Sequence, residues 1–202
     1  MNDVKKKTDR RVVKTRKAIR NAFAELLSEK DIDEITIKDI SDAADINRKT
    51  FYNYYSGVYQ LIDEIEDEIV LAFESVLKDV DFKRDMGNPY RIFENLTAII
   101  NSDIDFYGYL MKMDSNANLI SKIISALKNK LKSSFSSQIE IEEQKIDLIA
   151  NYVVSGMLAV YQNWFNSDRS QSIEELSNDV SIMAFSGING MLKKQDKTLR
   201  KL

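Results

Sequence analysis

The stretch Thr36-Ile37-Lys38-Asp39-Ile40-Ser41-Asp42-Ala43-Ala44-Asp45-Ile46-Asn47-Arg48-Lys49-Thr50-Phe51-Tyr52-Asn53-Tyr54-Tyr55 contains two helix starts within a dozen residues. Thr36 with Asp39 three positions later has the form of a capping box, and Ile35 and Ile40 occupy the two positions of a hydrophobic staple. The first helix ends by Ala44, and Asp45-Ile46 makes the turn. Asp is one of the few non-glycine residues that tolerates the left-handed backbone. Asn47 caps a second helix, with Ile46 and Phe51 as its staple pair, and Ser56-Gly57 closes it. Two helices of about two turns each across a three- or four-residue turn make a helix-turn-helix.

The same stretch divides its labour by face. Ile37, Ile40, Ala44, Ile46, Phe51 and Tyr55 can pack the two helices on each other and on the helix before them, which leaves Asn47, Arg48, Lys49, Tyr52 and Asn53 outward. Those are donor side chains suited to phosphates and base edges. In this motif the N-terminal part of the second helix enters the major groove. Arg48 can bond two acceptors of a guanine, and Asn the acceptor and donor of an adenine. Thr36, Thr50 and Tyr54 are expected at phosphates, and Lys38 completes the DNA-facing set.

Upstream, Val12, Ile19, Phe23 and Leu26 recur at helical spacing from near Arg10 to Ser28, with Thr8 or Asp9 as cap. Lys14, Arg16, Lys17 and Arg20 fill the remaining surface of that helix. Downstream, Leu61, Ile65, Ile69 and Phe73 mark the buried stripe of a long helix over 58–78. Residues 79–88 break the pattern, and Asn88-Pro89 starts the next helix. Further helices are expected near 89–100, 104–113, 117–136, 141–166 and 172–193, the last opened by a Ser172/Glu175 capping box.

Composition agrees with an all-α protein of 202 residues. One proline and six glycines are few helix breakers for this length. The net charge of −3 conceals an asymmetry: residues 1–20 hold nine Lys/Arg against two acidic residues, and residues 61–202 hold 16 against 22. A basic arm ahead of the motif fits a nucleic-acid partner. There is no Cys and no His, which removes disulfides, thiolate sites and the commonest general base and metal ligand. No cofactor and no metal site is expected. An enzyme would have to use carboxylates such as Asp103 and Asp105, which nothing else in the sequence supports, so the chain is read as not an enzyme. The N-terminus lacks an apolar signal segment and no long apolar run exists, so a cytoplasmic protein without a membrane partner is expected.

Residues 12–66 resemble the TetR family of bacterial regulators. The likeness lies in Phe23-x-x-Leu26-Leu27, Ile35-Thr36-Ile37-x-Asp39-Ile40, Ala43-Ala44-x-Ile46-Asn47-x-x-Thr50-Phe51-Tyr52-x-Tyr54-Tyr55 and Leu61. Three positions depart from the usual pattern: Asp45 stands for Gly, Tyr54 for His, and Val58 for a Lys at the start of the fourth helix. The last change removes one phosphate contact, which the basic arm can offset. Tyr152-Val153-Val154-Ser155-Gly156, with Tyr161 and Trp164-Phe165, resembles the subgroup that includes activators of dihydroxyacetone kinase genes. The resemblance implies a homodimeric, sequence-specific transcriptional regulator. It would have a helix-turn-helix DNA-binding domain (1–57), a linking helix (58–78) and a helical effector-binding and dimerisation domain (79–202). Its partners would be a near-palindromic double-stranded DNA operator, a second copy of itself and a small-molecule effector.

In the C-terminal half, Phe106, Tyr109, Met113, Tyr152 and Trp164 stand out as pocket candidates against the plainer reading of core packing. Ser155, Gly156 and Ala159 on one helix, and Ser186, Gly187 and Gly190 on the last, place small residues where another backbone could approach. Glycine inside a helix costs about 1 kcal/mol relative to alanine, so a four-helix dimer interface is expected there. Close packing within one subunit is the alternative. The competing function is a helical protein-interaction module without specific DNA binding, recognisable if Arg48, Lys49 and Asn53 were packed away against the C-terminal domain.

Overall fold

Helix α1 (Arg10–Leu27) buries Ile19, Ala22 and Phe23, the residues whose spacing marks one face. A single 3₁₀ turn (Ile32–Glu34) leads into α2 (Ile37–Ala43) and α3 (Arg48–Tyr52), and α4 (Val58–Lys78) follows. The remaining helices are α5 (Tyr90–Ser102), α6 (Ile104–Lys112), α7 (Asn118–Ser136), α8 (Glu143–Phe165) and α9 (Ile173–Leu199). The computed structural model describes residues 10–78, 80–82, 90–113 and 118–199, and among these the chain is all-helical, with no strand. Asn88 and Pro89, the expected start of α5, lie outside the described residues. No described helix is long and apolar enough to cross a membrane.

The chain forms two compact units. The first comprises the residues up to Ile65 together with Asp105–Met113. Within it α1 packs on α2 and α2 on α3. Arg16 pairs with Glu64 at 2.8 Å, and the Tyr55 hydroxyl donates to the same carboxylate at 2.7 Å. The guanidinium also lies 5.7 Å from the Tyr55 ring centre. Arg16 is half exposed, so the ion pair itself stabilises by at most about 1 kcal/mol. Its effect is to fix where α4 begins relative to the end of α3.

Helix α6 belongs to this first unit from Asp105 on, although it begins 26 residues beyond the end of α4. Arg20 of α1 stands over the Phe106 ring at 4.1 Å, a cation–π contact. Burial, followed by the charge and hydrogen bond of Glu25, pushes the Tyr109 hydroxyl above its ordinary range. Two of the basic side chains assigned to the surface of α1 are therefore occupied inside the unit, Arg16 by a carboxylate and Arg20 by a ring. The sequence division had placed all of 79–202 in one domain and could not show this crossing.

The second unit comprises residues 66–104 and 114–202. Here α5 packs against α9, α7 against α8, and α8 against α9. The core is made by Val76 and Leu77 of α4, Phe93 of α5, Phe135 of α7, Ile149 of α8 and Phe185 of α9, with their neighbours. One buried polar cluster crosses it: the hydroxyls of Thr97 and Tyr161 both meet that of Ser177, the latter at 2.6 Å. Three O–H groups from α5, α8 and α9 thus satisfy one another where water is excluded, and burial holds the Tyr161 hydroxyl above its ordinary range. The start of α9 is capped as its sequence indicates, with Glu175 N donating to Ser172 Oγ at 3.2 Å and Ser172 N to Glu175 Oε2 at 3.1 Å.

Candidate nucleic-acid interface

The site is built on α3, and its placement begins at Thr36. The Asp39 N–H donates to Thr36 Oγ1 at 3.2 Å, and Thr36 N–H donates to Asp39 Oδ2 at 2.9 Å, which closes a reciprocal capping box. These bonds hold the Asp39 carboxyl below its ordinary range. Ile40 and Ser41 are buried beneath α2. Asp45 then turns the chain with φ of 53°, the left-handed conformation that its short polar side chain tolerates. Asn47 Oδ1 accepts from Thr50 N at 2.8 Å and starts α3. Phe51 and Tyr55 are buried on the inner side, their ring centres 5.5 Å apart.

With that side fixed, the outer side presents Asn47, Arg48, Lys49, Tyr52 and Asn53, all exposed. Tyr52 is 57% exposed, a large aromatic surface that nothing within its unit covers. Among the described residues neither Arg48 nor Lys49 enters a salt bridge. Lys38 on α2 is exposed too, and Tyr54 is half-buried. Of the residues assigned inward from sequence, Ile40, Phe51 and Tyr55 are buried and Ile37, Ala44 and Ile46 half-buried, and the five assigned outward are exposed.

The hydrogen bonds refine which atoms remain for a partner. A hydroxyl has one proton to give. That of Thr36 goes to Asp39 Oδ2 at 2.7 Å, and that of Thr50 goes to Asn47 Oδ1 at 3.0 Å. In this arrangement neither threonine can donate to a phosphate. Asn47 Oδ1 already accepts twice, so the donor-plus-acceptor pairing that reads adenine falls to Asn53, and Asn47 retains its amide protons. The donors left for a partner are Lys38, Asn47, Arg48, Lys49, Tyr52, Asn53 and Tyr54. A threonine at a helix start is a cap first and a phosphate contact second.

The other expected sites distribute differently. Phe106, Tyr109 and Met113 belong to the first unit, whereas Tyr152 and Trp164 belong to the second. Phe106 is buried beneath Arg20. Tyr152 is 60% exposed. Trp164 is buried, its indole N–H donating to Gln171 O at 2.8 Å and its ring packed on Phe165. The five do not line one pocket of the second unit. The apolar cavity found there, between α4, α5, α7, α8 and α9, is lined by residues such as Phe82, Leu96, Leu131 and Met157. Sequence crowding of aromatic residues gave no warning of these liners, which come two or three at a time from five helices together with Phe82. The carboxylates Asp103 and Asp105 occupy different surroundings, one buried at the end of α5 and the other exposed in the first turn of α6, which does not make a catalytic pair.

The small residues remain where an interface would need them. Ser155, Gly156, Ala159, Ser186, Gly187 and Gly190 are all exposed. A Cβ placed on Gly156, Gly187 or Gly190 would meet nothing within 4 Å. Close packing within the subunit therefore does not account for these glycines.

Comparison with known proteins places both halves. Residues 19–65 match the family described as bacterial regulatory proteins of the tetR family, and residues 87–186 match a transcriptional regulator C-terminal region. The HTH-type transcriptional regulator YxbF of Bacillus subtilis (strain 168) is 41% identical over 76 residues, 33% of this chain and 20% of that protein. The HTH-type dhaKLM operon transcriptional activator DhaS of Lactococcus lactis subsp. lactis (strain IL1403) is 28% identical over 123 residues, 57% of this chain and 51% of its own length. The matched region thus spans about a fifth of the one relative and about half of the other. A solved structure of the dihydroxyacetone kinase operon activator DhaS superposes with a TM-score of 0.52 at 21% identity, covering 87% of this chain and 96% of that one. With the capped helix-turn-helix, its polar outer face and a regulator-type C-terminal half on one chain, the protein belongs to the TetR family.

Proposed function

We propose that this chain is a sequence-specific DNA-binding transcriptional regulator that works as a homodimer and answers to a small molecule. The observation that carries the reading is α3. Its inner face is locked by Phe51 and Tyr55, and its outer face consists of Arg48, Lys49, Tyr52 and Asn53 in solvent. A five-residue helix has too few hydrogen bonds to persist alone, and one anchored this firmly with four donors outward is preorganised for the major groove. The protein-interaction alternative required Arg48, Lys49 and Asn53 to be packed away, and they are exposed.

Dimerisation is supported by α8 and α9. Leu148, Tyr152, Ser155 and Ala159 recur at spacings of four, three and four on α8, and Leu148 and Tyr152 are more than half exposed. On α9, Ile182 and Met183 are also more than half exposed, beside Ser186 and Gly187. Two long helices that show both apolar and small side chains to solvent fit a self-complementary interface across a two-fold axis. Such a dimer would set two α3 helices on a near-palindrome whose half-sites lie about one helical turn apart. An effector in the second unit would act by binding one arrangement of the dimer more tightly than another, a coupling of typically about 1–3 kcal/mol.

Retention of genomic fragments by the purified full chain, followed by sequencing, tests the reading. Enrichment of one near-palindromic motif is expected. Uniform retention of all fragments, or none, would remove the specific-regulator reading.

A further inference from the structure

One carboxylate of the first unit joins three elements. Glu64 Oε1, on α4, accepts from the Tyr55 hydroxyl at 2.7 Å, and Glu64 Oε2 meets Arg16 Nη2 of α1 at 2.8 Å. Tyr55 lies three residues past the end of α3, and its N–H donates to Phe51 O of that helix at 3.0 Å. A carboxylate is an unexpected group in this place. The outer face of the unit presents Lys38, Arg48 and Lys49, and an added negative charge works against binding a polyanion of phosphates. What the carboxylate supplies is direction. Burial of Phe51 and Tyr55 is non-directional, so it sets how deep α3 sits and not how it is turned. A hydrogen bond is directional, and one to an ionised oxygen is roughly twice as strong as one between neutral groups. Helix α3 has five residues and few bonds of its own, so its orientation depends on what ties its two ends: Asn47 at the start and Tyr55 beyond the finish.

Resting on the reading of α3 as the helix that meets DNA, we propose that Glu64 is a positioning residue for recognition. It acts without touching DNA and chooses no base. Through Tyr55 it sets the angle at which Arg48, Lys49, Tyr52 and Asn53 reach the groove, and the preference itself stays with those outward residues. Arg16 completes the arrangement. Its ion pair offsets the charge of Glu64, and its guanidinium, 5.7 Å from the Tyr55 ring centre, holds the same ring from the side of α1. This role and a purely electrostatic one have opposite signs. If Glu64 were only a charge, its removal would tighten binding to every DNA. As a positioning residue, its removal weakens binding to the target sequence while binding to unrelated DNA holds or tightens.

Two titrations of the full chain test this, one against the genomic fragment it retains most strongly and one against a shuffled fragment of the same length and composition. Both are run at a temperature where every variant is folded by circular dichroism. Glu64→Ala should weaken binding to the retained fragment by about tenfold, the size of one impaired base contact, and leave or strengthen binding to the shuffled one. Glu64→Gln keeps an acceptor for the Tyr55 hydroxyl and should lose less. Tyr55→Phe keeps the ring and changes no charge, so it should weaken binding to the retained fragment alone. Tyr55→Phe combined with Glu64→Ala should bind no more weakly than Glu64→Ala, because both remove the same bond. A gain on both fragments, an equal loss on both, unchanged affinity in Glu64→Ala and Tyr55→Phe, or additive losses in the double variant would each overturn the proposal. A combined Arg48→Ala, Lys49→Ala and Asn53→Ala variant separates the two ideas. Loss of discrimination in that variant, with none in Glu64→Ala and Tyr55→Phe, overturns the positioning role and spares α3 as the reading helix. Full discrimination in that variant overturns the α3 reading and the positioning role with it.

Discussion

The exposed side of α3 and the exposed sides of α8 and α9 are opposite solutions to facing solvent. On α3 the outward positions are Arg48, Lys49, Tyr52 and Asn53, whose charges and amides are well hydrated in the free protein. On α8 and α9 they include Leu148, Tyr152, Ile182 and Met183, interleaved with glycine and serine. In the proposed function the first surface would lose hydration on docking and recover it from phosphates and base edges. The second gains by docking, because apolar area leaves water. The contrast teaches that the polar surface selects a partner whereas the apolar one requires one. Scattered apolar residues on a surface are ordinary. A row of them on two adjacent long helices, with glycines whose missing Cβ no intramolecular neighbour explains, is not.

The largest effect should come from breaking the apolar side. Gly156→Leu or Gly187→Leu has open space within the subunit, and leucine is the better helix former by up to about 1 kcal/mol. Each subunit should therefore remain folded while the dimer comes apart. DNA affinity should fall by roughly half of the 4–10 kcal/mol that separates specific from non-specific binding, since one subunit reaches one half-site. Sedimentation with a mobility-shift titration checks both parts. An intact dimer in both variants would place the interface elsewhere.

Breaking the polar side should cost less and leave assembly alone. Arg48→Ala is expected to lose about 1–3 kcal/mol of base discrimination, with unchanged thermal unfolding because the side chain is exposed. The readout is a footprint that relaxes at one base pair per half-site. A footprint and affinity identical to those of the parent would remove Arg48 from the reading set.

Ser177→Ala sharpens the comparison from inside the second unit. It leaves the Thr97 and Tyr161 hydroxyls without the partner they share, at about 1–3 kcal/mol for groups buried unsatisfied. Denaturation should report that loss, while the affinity for a given operator at a temperature where the variant is folded stays close to that of the parent. An unchanged midpoint would mean that the two remaining hydroxyls satisfy each other.

The smallest effect concerns acid. The Asp39 carboxyl is held below its ordinary value of 3.8 by its bonds to Thr36. A depressed folded-state value means that its contribution is present above 3.8 and is lost as pH falls through the lower folded value. Asp39→Asn should therefore lower stability slightly at neutral pH, converge on the parent in acid, and so flatten the low-pH limb of the unfolding curve. An acid limb that superposes on the parent's would show that the box adds nothing to stability.

How much was legible depended on whether a signal was local. Thr36, Asp39, Asp45 and Asn47 act on backbone atoms within three residues, so their roles could be read from spacing alone, and α2, the turn and α3 followed. The exposed small residues were legible for a related reason: glycine in a helix is costly wherever the helix lies. Arg16 and Arg20 were not legible, because a basic residue on an amphipathic helix reads as solvated unless the position of Glu64 or Phe106 is known. Nor was the cavity, whose liners are ordinary core residues contributed by helices distant in sequence. Crowding of Phe106, Tyr109 and Met113 reflected the packing of α6 into the first unit, which sequence neighbourhood cannot reveal.

One further consequence follows from the two faces of α3. Stability is invested in Phe51 and Tyr55, and DNA preference is assigned to Arg48, Lys49, Tyr52 and Asn53, with no position asked to do both. Substitutions at surface positions of this kind usually change folding by no more than about 0.5 kcal/mol. After a gene duplication, a copy of this chain could therefore drift toward a new target one outward residue at a time, each intermediate as well folded as its parent. If α3 reads DNA as proposed, the geometry that holds it rigid also leaves its outward residues free to change.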